Sequence, residues 1–157
     1  MSQIHFCCVY LLSQLGIDDN QVHTIHPRLG PDAAALAYQQ ELIIALGDEA
    51  SIDVLLLGIG PDGHTCSLFP RHVVLEERDL LVAAITDSPK PPPERITLTF
   101  KAIASARDAA FVTAGEGKAE VLKRILKDHD TTLPAALVNT RAGPPMWFID
   151  QAAASKL

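Results

Sequence analysis

Hydrophobic positions fall into runs of two kinds along the chain, and the spacing within each run predicts the elements. After Pro31 the apolar residues Leu36, Ile43 and Leu46 recur at helical intervals and Gly47 follows, which predicts an amphipathic helix from Asp32 to Gly47. Ile52 to Ile59 is instead short, branched and almost wholly apolar, the pattern of a strand buried on both faces of a parallel sheet. Leu80 to Ile85 and Ala109 to Ala114 read as further buried strands. Arg95 to Phe100 alternates, with Ile96, Leu98 and Phe100 inward. Lys118 to about Lys127 forms a helix with Val121, Leu122, Ile125 and Leu126 on one face. Weaker signals predict a short strand at Gln21 to Ile25, a turn at Pro27 to Pro31, and a helical turn at Val73 to Arg78. Ala135 to Val138 and Met146 to Ile149 read as the last strands, and Asp150 caps a final helix ending at Leu157. Ile4 to Leu12 reads either as a helix continuing to Leu15 or as a frayed piece. Strands alternating with helices define an α/β fold with a parallel sheet under helices, and with no repeat or linker in view residues 1–157 read as one domain.

The pattern changes most abruptly after Ile59, where apolar residues give way to glycines and then to ionisable side chains. Parallel sheets present ligands at the carboxyl ends of their strands, so Asp62 and His64 arrive where chemistry is expected. Gly60 and Gly63 allow close backbone approach and positive φ, while Pro61 stiffens the turn. His64 is a candidate general base, because imidazole can take a proton from water near neutral pH. The plainer reading is a loop histidine bonded to a carbonyl. Asp62 either orients that imidazole or holds an Asx turn. The dinucleotide spacing at Gly58, Gly60 and Gly63 is weak, since Pro61 and His64-Thr65 open no convincing helix. Asp62, His64 and Cys66 lack an evident fourth ligand for zinc. Cys66 as a nucleophile competes with the commoner small buried cysteine.

Two further segments carry charge near special backbone. Lys118 follows the glycine turn at Gly115 and Gly117 at a helix start, where free amides favour an anion, although Ala119 stands where a P-loop has Ser or Thr. Asp87 to Pro93 holds four prolines in seven residues, which excludes helix and central strand and predicts a rigid loop. Lys90 and Arg95 border it, as second contacts for an anion or as solvent-facing charges. Lys123, Arg124 and Lys127 read as the exposed face of their helix, and Tyr38 as core.

Composition narrows the partners. A net charge of −6 and a pI near 5.4 argue against nucleic acid or an anionic membrane. No apolar run approaches the roughly eighteen residues of a membrane span, and Met1 to Leu12 lacks the basic start of a secretory signal. Three cysteines form no disulfide framework or metal pair, and Cys7 and Cys8 read as structural filler. The expectation is a cytoplasmic protein.

The stretch Gly58-x-Gly60-x-Asp62-Gly63-His64-x-x-Ser67-Leu68-Phe69-Pro70 resembles the signature of the 6-phosphogluconolactonases of the oxidative pentose phosphate pathway. Asp87-Ser88-Pro89-Lys90-Pro91-Pro92-Pro93-x-Arg95-Ile96-Thr97-Leu98-Thr99, Gly115-Glu116-Gly117-Lys118-Ala119, Leu133 to Val138 and Trp147-Phe148 resemble the same family in the same order. The related glucosamine-6-phosphate deaminases share the Asp-Gly-His triplet but continue with Asn-Glu-Pro where this chain has Ser67-Leu68-Phe69-Pro70. The resemblance implies a three-layer α/β/α fold with a mainly parallel sheet, shared with sugar-phosphate deaminases and isomerases. The family's Ser-Gly-Gly phosphate loop and Asp-Glu-Arg strand are not found here, which implies an N-terminally truncated domain with its first strands missing. It also implies His64 as the base with Asp62 beside it, and Lys118, Lys90, Arg95, Gly60 and Gly63 as substrate or phosphate contacts. Neither metal nor cofactor is implied. The implied substrate is 6-phospho-D-glucono-1,5-lactone, opened by water to 6-phosphogluconate. The alternatives are a deaminase-like isomerase, or a weak truncated form that only binds a sugar phosphate or a partner. Absent strands would leave a sheet edge that invites self-association.

Overall fold

The computed structural model describes residues 8–26, 28–47 and 51–157. Five strands are present there: β1 (Val54–Leu57), β2 (Val82–Ile85), β3 (Arg95–Leu98), β4 (Asp108–Thr113) and β5 (Met146–Ile149). The apolar strands β1, β4 and β5 form a parallel sheet in the order β1-β4-β5, with Leu55 opposite Ala109, Leu57 opposite Phe111 and Phe111 opposite Trp147. β2 and β3 form a separate antiparallel pair with Ala84 opposite Ile96. Helix α1 (Pro31–Leu46) packs on that pair, and its Gln39 Oε1 accepts from the amides of Leu81 (2.7 Å) and Val82 (3.2 Å). α2 (Phe100–Ser105) follows β3. α3 (Ala119–Leu122) begins after a 3-10 turn at Glu116–Lys118 and continues as a π-helical turn at Lys123–Lys127.

The core lies on one side of the parallel sheet. Leu55, Leu57 and Phe111 point into it beside Ile103, Val121, Ile125 and Leu133, and the Phe111 ring stacks on Trp147 with centroids 4.2 Å apart. The other face is open: Val54, Leu56, Val112, Met146 and Phe148 are exposed, Leu56 by 74%. The expectation of a strand buried on both faces is therefore corrected, and Ile52 to Ile59 shortens to Val54–Leu57. An unbroken apolar run reports that both faces avoid water, and only one of them is covered by the described residues.

Other elements depart from expectation for local reasons. α1 buries Ala34 and Ala35, while Leu36 and Ile43 lie exposed; small residues let the helix approach the β2–β3 pair closely. Tyr38 is half-buried beside Thr97 at a cavity of about 340 Å³ rather than in the core. Gln21 to Ile25 is no strand, because Asp18 and Gln21 close a 3-10 turn at Asp19–Gln21, Gln21 Oε1 accepting from the Asp18 amide at 3.1 Å. Ala135 to Val138 is also no strand: Pro134 starts a 3-10 turn at Pro134–Leu137. β3 stops at Leu98, with Thr97 its fully buried residue, because Thr99 caps α2. The C-terminal residues form turns in which the Asp150 carboxylate accepts from the Ala153 amide (2.8 Å). Arg124 and Lys123 are half-buried in ion pairs with Asp130 (2.6 Å) and Asp128 (2.8 Å), not a free basic face. Cys8 to Leu15 is helical. Cys7, Pro27 and residues 1–6 lie outside the described residues.

Candidate active site

The loop after β1 is folded tightly on itself. The Gly60 amide donates to the His64 carbonyl (2.9 Å) and the Gly63 amide to the Gly60 carbonyl (3.0 Å). Gly63 has φ +83°, a left-handed conformation that suits glycine. A side chain at Gly60 would land on the His64 imidazole and the Asp62 carboxylate, so this glycine makes room for that pair. Three further contacts hold the loop, the first within it and the other two from distant segments. Thr65 Oγ1 donates to the Gly58 carbonyl (2.9 Å), the Ser67 amide donates to Thr97 Oγ1 (3.0 Å), and the Ala135 amide donates to the Gly63 carbonyl (3.0 Å). The turn that replaces the expected strand at Ala135 thus serves the site.

His64 Nδ1 lies 2.6 Å from Asp62 Oδ1, and Lys90 Nζ donates to the same oxygen at 2.8 Å. Partial burial alone would raise the Asp62 carboxyl, but the hydrogen bonds from Lys90 and His64 outweigh it and hold it at about 2. Asp62 is therefore ionised near neutrality and accepts from Nδ1–H, which leaves the Nε2 lone pair free to act as a base. The ring packs against the buried Phe69, centroids 4.7 Å apart, and is 18% exposed. His64 borders a cavity of about 480 Å³ lined also by Gly58, Ile59, Gly60, Cys66 and Lys118.

Lys118 reaches this cavity from the turn that opens α3, and its Nζ donates to the Ile59 carbonyl at 2.7 Å. An ammonium has three donors, so two remain for an anion. The turn is braced by Asp150, whose carboxylate accepts from the Gly115 amide at 3.0 and 3.1 Å. Arg95 is turned the other way. Its guanidinium donates to the carbonyls of Pro92 (2.9 Å), Lys90 (2.8 Å) and Pro91 (2.7 Å) and lies 5.5 Å over the Phe69 ring. Of the seven residues expected at the site, Asp62, His64, Lys90, Gly60 and Gly63 come together, Lys118 joins them across the cavity, and Arg95 grips the proline loop.

Competing chemistries find less support. Burial pushes the Cys66 thiol up to about 11, against a hydrogen bond with Thr65 that lowers it, so the thiolate a nucleophile needs is disfavoured. Among the described residues no three His, Cys, Asp or Glu side chains gather as a metal site. The glycines open no helix, as the loop closes into a bridge between Thr65 and Leu68. Sequence reasoning read Asp150 only as a cap and gave no role to the side chains of Thr97 and His72; the bonds of Asp150 to the Gly115 amide, of Thr97 to the Ser67 amide and of His72 to Asp87 join segments apart in the chain and carry no local signal.

An ionised carboxylate and an imidazole at the carboxyl end of a parallel strand, with a lysine lining the same cavity as the imidazole, form a candidate acid–base site on an α/β scaffold. The chain belongs to the glucosamine-6-phosphate isomerase/6-phosphogluconolactonase family, whose description matches residues 2–147. It is 54% identical over 150 residues to the 6-phosphogluconolactonase of Rattus norvegicus, covering 94% of this chain and 58% of that protein. It is 42% identical over 157 residues to the probable 6-phosphogluconolactonase of Schizosaccharomyces pombe, covering 90% and 60%. The crystal structure of 6-phosphogluconolactonase from Thermotoga maritima superposes with a TM-score of 0.74 at 34% identity, over 88% of this chain and 60% of that one. The chain thus spans about three fifths of the length of these relatives. Its fold is their three-layer α/β/α fold with a mainly parallel sheet.

Proposed function

We propose that this chain is a carboxylic ester hydrolase that opens 6-phospho-D-glucono-1,5-lactone with water to give 6-phosphogluconate, a step of the oxidative pentose phosphate pathway. The observation that carries the reading is the Asp62–His64 pair at 2.6 Å beside a cavity that Lys118 also lines. His64 Nε2 takes a proton from water as the water oxygen bonds to the lactone carbonyl carbon. The bond from that carbon to the ring oxygen then breaks, and the proton passes to the ring oxygen, which leaves as a hydroxyl. Asp62 keeps the imidazole in its Nδ1–H form and stabilises the imidazolium formed in between. Lys118 holds the phosphate, so that binding at a distance positions the ring. Gly60 and Gly63 shape the loop. The reading takes residues 1–157 as one lactonase-like domain in the cytoplasm, and among the described residues no helix is long and apolar enough to cross a membrane.

A second reading is a form with little turnover that only binds the sugar phosphate or a partner, and the open apolar sheet face favours it as a surface a partner would cover. One paired experiment separates them: a lactonase assay, corrected for spontaneous hydrolysis, beside calorimetric titration with 6-phosphogluconate. Turnover in the wild type that falls about 10²- to 10⁴-fold in His64→Asn, with product binding kept, supports the hydrolase. Binding without turnover leaves the second reading. Lys118→Ala should raise KM more than it lowers kcat, and unchanged affinity for 6-phosphogluconate would remove Lys118 from phosphate binding.

A further inference from the structure

Lys90 was expected as a contact for an anion, yet its ammonium is already committed. Nζ donates to Asp62 Oδ1 at 2.8 Å, on the oxygen that His64 Nδ1 reaches at 2.6 Å, and stands 3.4 Å from Nδ1 itself. Two donors meeting on one carboxylate oxygen fix the rotation of that carboxylate, and through it the orientation of the imidazole.

The loop that brings Lys90 there is held along its length. The Ser88 amide donates to the Pro93 carbonyl (3.1 Å), Ser88 Oγ donates to the Lys90 carbonyl (2.8 Å), and Arg95 closes on three of the loop's carbonyls. Its first residue, Asp87, accepts from His72 Nε2 at 2.9 Å. His72 Nδ1 accepts from the Val74 amide at 3.1 Å, which places the ring proton on Nε2, and the imidazole is only 11% exposed. His72 therefore joins the turn after the Ser67-Leu68-Phe69-Pro70 segment to the start of the proline loop.

Building on the hydrolase reading, we propose that Lys90 is a positioning residue for His64 rather than a phosphate anchor, and that the His72–Asp87 hydrogen bond sets the loop that delivers it. By donor count Lys90 keeps N–H groups beyond the one on Asp62, but a phosphate taking them would be a second anion competing with the carboxylate that orients the base. Lys118 gives up nothing comparable, since its protein partner is a neutral carbonyl with which an anion can share the ammonium.

The test uses the full chain and two substitutions. Lys90→Met keeps the stem and removes the charge. His72→Asn keeps a short acceptor for the Val74 amide and removes the donor that reaches Asp87. Lys90→Met should lower kcat by about tenfold or more while the Kd for 6-phosphogluconate moves by less than about threefold. His72→Asn should lower kcat in the same direction with the melting temperature kept, and should add little to Lys90→Met because both act through one contact. A tenfold weaker Kd with kcat kept would return Lys90 to the phosphate, and fully additive losses would remove His72 from the arm. Nitrogen-15 spectra of the His64 ring supply a readout independent of turnover: one Nδ1–H tautomer is expected in the wild type and a mixture in Lys90→Met. If the wild type turns over no lactone but the tautomer responds, the hydrolase reading fails and the positioning role stands. A tautomer indifferent to Lys90→Met overturns the positioning role whatever the turnover.

Discussion

At Gly60 the difference between a formed and a broken acid–base pair is one hydrogen atom. A methyl group there would fall on the His64 ring and the Asp62 carboxylate, both of which can swing away because they are side chains rather than backbone. Gly60→Ala should therefore cost about two orders of magnitude in kcat, the scale of a lost general base, while the melting temperature changes little. Turnover at saturating substrate, read beside a thermal melt, checks this, and near-normal turnover would show that the pair does not need its present geometry. Gly63 is different, since φ +83° and the contact with Leu133 make a side chain there a folding problem. Against the partial burial that would raise it, Lys90 and His64 hold the Asp62 carboxyl near 2. A carboxyl lowered on folding adds stability that is complete above its ordinary range and is lost as pH falls toward 2. Across the neutral range it stays ionised, so a change of turnover with pH there belongs to another group. Asp62, His64 and the loop glycines were legible from residue type and spacing. The partner of Lys90 was not, because which group its flexible stem reaches is decided 28 residues away.

Elements ended where side chains competed with the backbone. Alternation carries the expected strand from Arg95 to Phe100, but the buried Thr99 stops it: Oγ1 accepts from the Ala102 amide (3.3 Å) and donates to the Leu80 carbonyl (2.7 Å). The residue that ends β3 starts α2 and ties both to the entry of β2. Thr99→Val keeps the shape and removes both bonds, leaving buried polar groups unpaired, which should cost about 1–3 kcal/mol. For a chain of this length that is a fall of several degrees in melting temperature, checked by calorimetry. An unchanged melt would mean that β3 and α2 are held by packing alone. A threonine after an alternating run is a cap signal as much as a strand signal, and only the neighbouring Leu80 carbonyl decides between them.

Over the whole molecule, the open side of the parallel sheet governs behaviour in solution. Val54, Leu56, Val112, Met146 and Phe148 place exposed apolar side chains on all three strands, and β1 and β5 are the edges of the described sheet. Such a face associates with itself or with another apolar surface. The chain alone should elute from size-exclusion chromatography above its monomer mass, and Leu56→Ser, at the most exposed strand position of that face, should shift it toward monomer. Monodisperse monomer at all concentrations would show that the face is covered. The sequence by itself determined the α/β class, the position of all five described strands and the glycine loop after β1, because alternation, apolar runs and glycine spacing are local properties of the chain. Tertiary structure decided which apolar face is covered, that Pro134–Leu137 turns back to hold Gly63, that Arg95 staples the proline loop, and that Lys90 meets Asp62. Each of these depends on a hydrogen bond or a packing surface supplied by a distant segment, and no local pattern encodes the identity of a partner that far away.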